Sequence, residues 1–324
     1  MSVAALVLTR NRKDLLLECL AGLDRQTATV DRVVIVDNAS DDGTPELLRE
    51  RGILDRDDVV YSRLDHNGGG AGGYAHGIEL ALAQGTEWVW TMDDDAEPRP
   101  DALERLLTAP PADDPQTVAL AGSVVNVDGS IDLLHRGWVH RLMRAAPREE
   151  YARTDHPELG FSSFVGLLFR AAPARAEAPP PAEFFIGCDD VEYSMRLRRH
   201  GRMRLVPESV IVHKLVMGGG EVTLRSRVLN ALLKADYRSS SWPDYWKNLY
   251  AMRNFFWIRH HHGRVSPLGF AGLIAAYAAK SLLYDERPLR RIPWIVRYAL
   301  KGRRGDFSGP TPAEWRVMAE TKRR

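Results

Sequence analysis

Three consecutive carboxylates, Asp93-Asp94-Asp95, close the strand-like run Glu87-Trp88-Val89-Trp90-Thr91-Met92. Like charges crowded at a strand end repel one another unless a cation shares the site. Adjacent residues on an extended chain point to opposite faces, so Asp93 and Asp95 can converge on one ion while Asp94 points elsewhere. Carboxylate oxygens suit a hard divalent cation, Mg2+ or Mn2+, better than zinc. The competing reading is a solvated acidic turn that caps a helix starting near Pro100. A second acidic group, Asp189-Asp190-Val191-Glu192, opens a helix after the apolar run that stops at Gly187. Helix capping accounts for Asp189. One of Asp190 and Glu192, ionised and turned into a cleft beside a hydroxyl group, suits a general base. His213 ends the extended run Val210-Ile211-Val212, where metal ligation and a structural role compete.

These groups need a scaffold. Val3–Leu8 and Arg32–Asp37 read as strands buried on both faces, Val59–Tyr61 as a third, with helical patterns between them. Such alternation predicts an α/β fold with a mostly parallel sheet covered by helices. Ligands of such sheets sit at the carboxyl ends of the strands, where Thr9-Arg10, Asp37 and Asp93–Asp95 all fall. Asn67-Gly68-Gly69-Gly70-Ala71-Gly72-Gly73 lies between the third strand and a helix through Ile78 and Leu82. Gly68, Gly70 and Gly73 satisfy G-x-G-x-x-G with Asp93 about twenty residues later, so a dinucleotide-dependent oxidoreductase is a competing reading. Against it, the glycines do not open the first strand–helix unit, and three carboxylates stand where a ribose needs one. Either way, a bare backbone at a helix N-terminus can approach a phosphate or sugar closely; the bland alternative is a turn with tight helix packing. Phe161–Phe169 reads as one strand whose small residues admit a ligand, and 171–181 as a mobile surface loop.

The 324 residues carry a net charge of +1, which hides an asymmetry. Glu221–Arg324 holds 20 Lys+Arg against 8 Asp+Glu, leaving 24 against 35 for Met1–Gly220. The division predicts a cation-dependent site in residues 1–219 and, in 220–324, a helical, aromatic- and basic-rich region that meets an anionic surface. That surface is expected to be membrane lipid rather than nucleic acid; a helical cap that buries its own aromatics is the alternative. Two cysteines, Cys19 and Cys188, exclude a disulfide framework. With no cleavable leader visible, and the apolar run Pro267–Ala279 broken by Lys280 and too short for a bilayer, the expected location is cytoplasmic, peripheral on the inner face of the cell membrane. The tract His260-His261-His262 reads as solvated, because consecutive side chains on a helix diverge.

Taken in order, Thr9-Arg10-Asn11-Arg12, Val36–Thr44, Asn67–Gly73, Met92–Ala96, Asp189–Tyr193 and His213 resemble the signature of inverting family 2 glycosyltransferases, across residues 3–215. Met92–Ala96, Asn67–Gly73 and Tyr250-Ala251-Met252-Arg253-Asn254 are most similar to the galactofuranosyltransferase and rhamnosyltransferase branch. The resemblance implies a GT-A fold and transfer from a UDP- or dTDP-sugar to a glycan or polyprenyl-linked acceptor. It assigns Thr9, Arg10, Asp37, Asn67, Gly68, Gly69, Gly72, Asp93 and Asp94 to the donor. Asp93, Asp95 and His213 would hold Mn2+ or Mg2+, and Asp190 would be the base. Phe164, Gly166, Asp189 and Glu192 are expected near the acceptor. The chain departs from the branch at Cys188, where Trp often stands, and that departure bears on the acceptor.

Overall fold

A computed structural model describes residues 1–215, 228, 240–263, 265–285 and 288–321. Arg287, one of the basic residues of the 220–324 region, and the expected boundary at residues 219 and 220 lie outside the described residues. The chain divides into two compact units, Met1–Ala182 with Asp189–Leu215, and Glu183–Cys188 with Val216–Arg324.

The first unit opens with β1 (Val3–Thr9), α1 (Lys13–Asp24), β2 (Arg32–Asp37), α2 (Thr44–Glu50), β3 (Val59–Arg63), α3 (Gly69–Ala83) and β4 (Trp88–Asp93). Their strands lie in the order β3-β2-β1-β4, all parallel, as the uninterrupted apolar runs require. The sheet then turns mixed. After β5 (Ala96–Pro98), α4 (Ala102–Thr108), α5 (Pro110–Asp113) and β6 (Thr117–Val125) come β7 (Arg136–Val139), β8 (Met143–Ala145), β9 (Glu158–Leu159), β10 (Phe161–Ser162), β11 (Leu167–Arg170), α6 (Ala171–Arg175), α7 (Asp189–Leu197) and β12 (Arg202–His213). The main order continues β4-β11-β6-β12-β5, with β11 antiparallel to both neighbours, while β10, β7 and β8 form a separate small sheet. One core, around Leu16, Leu23, Trp90 and Leu103, and another, around Leu6, Ile78, Phe169 and Tyr193, are built from alternate residues of the same strands.

Three expectations change here. The glycine run does not precede α3 but forms its first turns. A Cβ on Gly73 would stand 2.4 Å from Leu8 Cδ1, and one on Gly77 2.6 Å from Leu6 Cδ1, so these glycines let α3 lie directly on β1. Phe161–Phe169 is not one strand: it is cut into β10 and β11, in different sheets, at Gly166, whose φ is +72°. Residues 171–181 are tied down rather than loose. They begin as α6, and Arg196 donates to the carbonyls of Ala178 and Pro179. The run Val210–Val212 that ends in His213 is the last part of β12, which has an irregularity between Val206 and Val210, where Pro207 removes a ladder donor.

In the second unit the described helices are Tyr245–His261, Pro267–Tyr284, Pro288–Arg304 and Pro312–Thr321. Trp246, Phe256, Phe270, Tyr298 and Trp315 form its core, so much of the aromatic content is internal packing. The Arg253-Asn254 pair, buried in the first of these helices, grips the segment Glu183–Cys188. Asn254 Nδ2 donates to the carbonyls of Phe184, Ile186 and Gly187 at 2.8–3.1 Å, and Arg253 donates to Phe184 O and Phe307 O. Those bonds hold a backbone in which Phe185, Gly187 and Cys188 all have left-handed φ. The Pro267–Tyr284 helix runs through Lys280 for 18 residues, so by length and composition alone it is long and apolar enough to cross a membrane. The shorter span expected from the sequence is thereby corrected.

Candidate active site

β4 ends at Asp93, and Asp94-Asp95 turn the chain into β5, which pairs antiparallel with the end of β12. That pairing sets Ala96 opposite His213 and carries the imidazole to the acidic turn from a strand more than a hundred residues away. Donor atoms of Asp93, Asp95 and His213 lie within 4.8 Å of one another. His213 Nε2 stands 3.2 Å from Asp95 Oδ1. Asp94, Asp95 and His213 are all buried, which excludes the solvated turn.

Asp94 points away, as the alternation argument requires, although it sits in a turn and not on a strand. Its carboxylate accepts from Thr9 Oγ1 at 2.9 Å, from the Arg10 backbone N–H at 3.2 Å and from Arg12 at 3.1 Å. Asp94 therefore fastens the end of β1. Arg12 also reaches Asp95 at 3.2 Å, offsetting part of the acidic charge from a half-exposed position. Tyr74, on α3, donates to Asp93 Oδ1 at 2.5 Å, and the ring of Phe164 packs on Tyr74 at 4.2 Å. Phe164 is buried and supports Tyr74 from behind. A Cβ on Gly166 would lie 2.2 Å from Ile211, so that position serves close packing against β12.

Burial and the charge of Asp95 hold the Asp93 carboxyl above the usual range. Burial, outweighing the pull of Arg12, pushes Asp94 up to about 6. Asp95 goes the other way: burial works against its charge, but His213 and Arg12 prevail and its pKa is lowered. His213 is raised, because Asp95 and Asp93 outweigh its burial. Asp95 Oδ1 and His213 Nδ1 are buried without a hydrogen bond of good geometry. Two carboxylates that raise each other's cost, an imidazole and orphaned donor atoms make a set that fits a hard divalent cation.

At the ends of β2 and β3, Asp37 is fully buried and accepts from the Ser40 N–H and the Tyr61 hydroxyl, each at 2.8 Å. Both carboxylate oxygens of Asp37 are thus engaged within the chain. Asn38 brackets the start of α3, accepting from Gly68 N and donating to Gly69 O, each at 2.9 Å. Asn67 Oδ1 receives the Gly69 N–H at 2.9 Å. Nothing stands within 4 Å of where a Gly72 Cβ would be, so the backbone there is open to a ligand.

α7 begins with the second acidic group. Asp189 is buried. Asp190 is half-buried, accepts from the Val191 N–H at 2.7 Å, and has a raised pKa because burial and the charge of Asp93 disfavour its ionised form. The acids therefore sense each other across the unit. Glu192 is buried and takes three hydrogen bonds from Arg196 at 2.8–2.9 Å. An (i, i+4) acid–Arg spacing was its signal in the sequence. Sequence reasoning also passed over Arg12, Asn38 and Tyr74. Arg12 and Asn38 lie within motifs already named and Tyr74 one residue past the glycine run, but no local pattern marks their partners, which are 82, 30 and 19 residues away, respectively.

The description "Glycosyl transferase family 2" belongs to the family model that matches residues 5–176. The galactofuranosyltransferase GlfT1 of Mycobacterium tuberculosis is 36% identical over 205 residues, covering 62% of this chain and 66% of that protein, a little under two thirds of its length. Among solved structures, GalNAc-T7 with UDP, GalNAc and Mn2+ aligns with a TM-score of 0.56 at 17% identity, over 79% of this chain and 51% of that one. S. aureus TarS 1-349 in complex with UDP aligns with a TM-score of 0.51 at 19% identity, over 100% and 91%. These structures share the fold, the GT-A arrangement of a mixed sheet flanked by helices. With more than half of its length matched by the family model, the chain belongs to glycosyl transferase family 2.

Proposed function

We propose that the chain is a metal-dependent inverting glycosyltransferase that moves galactofuranose from UDP-galactofuranose to a hydroxyl of a lipid-linked glycan acceptor. The observation that carries this reading is the convergence of Asp93, Asp95 and His213 within 4.8 Å, with Asp190 close enough to feel the charge of Asp93. The relative's name supports the sugar, and UDP in the fold neighbours supports the nucleotide. Asp93, Asp95 and His213 would hold Mn2+ or Mg2+, which when bound supplies charge stabilisation to the leaving diphosphate. Thr9, Arg10 and the open backbone at Gly70 and Gly72 line the donor side. Asp190 accepts the proton of the acceptor hydroxyl as that oxygen bonds to the anomeric carbon. The bond from that carbon to the diphosphate oxygen breaks, its electron pair leaves with the nucleotide, and a single displacement inverts the centre.

A thermal-shift series separates the alternatives. UDP with Mn2+ is expected to raise the melting temperature; dTDP with Mn2+ doing so better points to dTDP-rhamnose as donor. Stabilisation by NAD(H) or NADP(H) alone sinks the transferase reading.

The partner proposed for the second unit is an anionic lipid surface. Along the Pro267–Tyr284 helix, Leu268, Gly272, Ala275, Ala279, Leu282 and Leu283 are exposed and present an apolar face. Residues 259–304 contain ten Lys+Arg and two Asp+Glu, a balance that favours lipid phosphate over a second equally basic copy. The chain is expected to sediment with phosphatidylglycerol vesicles and not with phosphatidylcholine vesicles. Leu282→Asp with Leu283→Asp should abolish that, and unchanged sedimentation of the double variant sinks the assignment.

A further inference from the structure

His213 belongs to two groups of ligands. The other partners are Asp132 and His135, on the short turn that leads into β7. All three side chains are buried, and their donor atoms lie within 4.8 Å of one another. Both new members are held in place. Asp132 accepts the Leu134 N–H at 3.0 Å, and His135 Nδ1 is 2.8 Å from Ser163 Oγ. The remaining ring nitrogen, His135 Nε2, is buried without a hydrogen bond, as is His213 Nδ1. His135 Nε2 stands 3.5 Å from Asp132 Oδ2, too long for a good hydrogen bond. It matches the separation of about 3.4 Å between two donors bound tetrahedrally to one ion at about 2.0–2.1 Å. The two imidazoles meet edge to face, with ring centroids 5.1 Å apart. Packing alone explains a buried pair of rings but leaves two nitrogens unsatisfied, which native interiors seldom tolerate.

We propose that Asp132, His135 and His213 form a second divalent-metal position, which takes an imidazole-seeking ion of the Zn2+ or Co2+ class. Two nitrogens and one carboxylate favour such an ion, whereas Asp93 and Asp95 with one imidazole favour Mn2+ or Mg2+. His213 is shared, so an ion at the nitrogen-rich position withdraws a ligand from the other. Excess Zn2+ then opposes Mn2+ through a common side chain. This position is independent of the proposed transfer reaction, since a chain without transferase activity would still bind Zn2+ there.

The test uses the full chain with His260, His261 and His262 changed to Asn, which removes the imidazole tract. Without nucleotide, Zn2+ is titrated calorimetrically and Co2+ by its visible absorption. One ion per chain is expected, with an intense Co2+ band of low-coordinate nitrogen ligation. His135→Ala and Asp132→Asn should each weaken Zn2+ binding by about 10-fold or more, while Asp93→Asn with Asp95→Asn keeps it within about 3-fold of the parent, roughly 0.7 kcal/mol. If His135→Ala does not fold, Asp132→Asn and the Co2+ spectrum of the parent decide. Parent-like Zn2+ affinity in both variants, loss of binding in the Asp93/Asp95 variant, or a weak octahedral Co2+ spectrum overturns the assignment.

Discussion

Asp190→Asn should lower sugar transfer by roughly 10²–10⁴-fold, the range a positioned general base contributes. UDP binding with Mn2+ should stay close to wild type, because the amide keeps the shape and the hydrogen bond from Val191. The pH profile provides an independent check. Burial and the charge of Asp93 raise the Asp190 pKa to about 6. A base must be unprotonated to act, so kcat rises with pH through that value and falls as acid protonates Asp190. Neutralising Asp93 with a bound cation removes part of the push, so the acid limb moves down when metal saturates. The Asn variant should lose this limb along with the rate. Wild-type turnover by Asp190→Asn would remove the base assignment while leaving the family untouched.

The second large effect concerns the two kinds of aspartate in one triplet. Asp93→Ala or Asp95→Ala is expected to abolish most of the stabilisation that Mn2+ with UDP confers, with Mn2+ affinity down at least about 10-fold. Asp94→Ala should behave differently. It deletes the acceptor for Thr9 Oγ1, the Arg10 N–H and Arg12, so it costs roughly 1–3 kcal/mol of folding stability. Any protein that remains folded should still gain stability from Mn2+ with UDP. Urea melts of the three variants, with and without Mn2+ and UDP, read both quantities. Equal loss of metal response in all three would mean that the orientation of Asp94 is not maintained in the working enzyme.

The elements around the site were largely legible. β2 has the bounds its apolar run predicts, and β1 differs from its run only by including Thr9. Such runs are explicit because a strand buried on both faces has no choice of residue. The glycine run was legible as special but misplaced, because its glycines serve two ends. Gly73 and Gly77 are required by the contact with Leu8 and Leu6, which lie on a strand the local pattern does not mention. The resemblance sets Phe164 and Gly166 near an acceptor, and the small residues of Phe161–Phe169 read as a strand that admits a ligand. The chain instead turns between them, and both pack inward.

By itself the sequence determined the parallel start of the sheet, the order of the motifs and hence the family, and the acid types gathered at strand ends. Those features follow from local pattern: apolar continuity, charge density, and spacing along the chain. The tertiary structure alone decided which acid faces which partner. Asp94 is claimed by Thr9 and Arg12, Asp93 by Tyr74, Asp95 by His213, and Glu192 by Arg196. Three of those four pairings bridge residues far apart in the chain. They are set by strand register and helix docking, and a turn such as Asp94-Asp95 breaks the strand alternation from which side-chain direction is read.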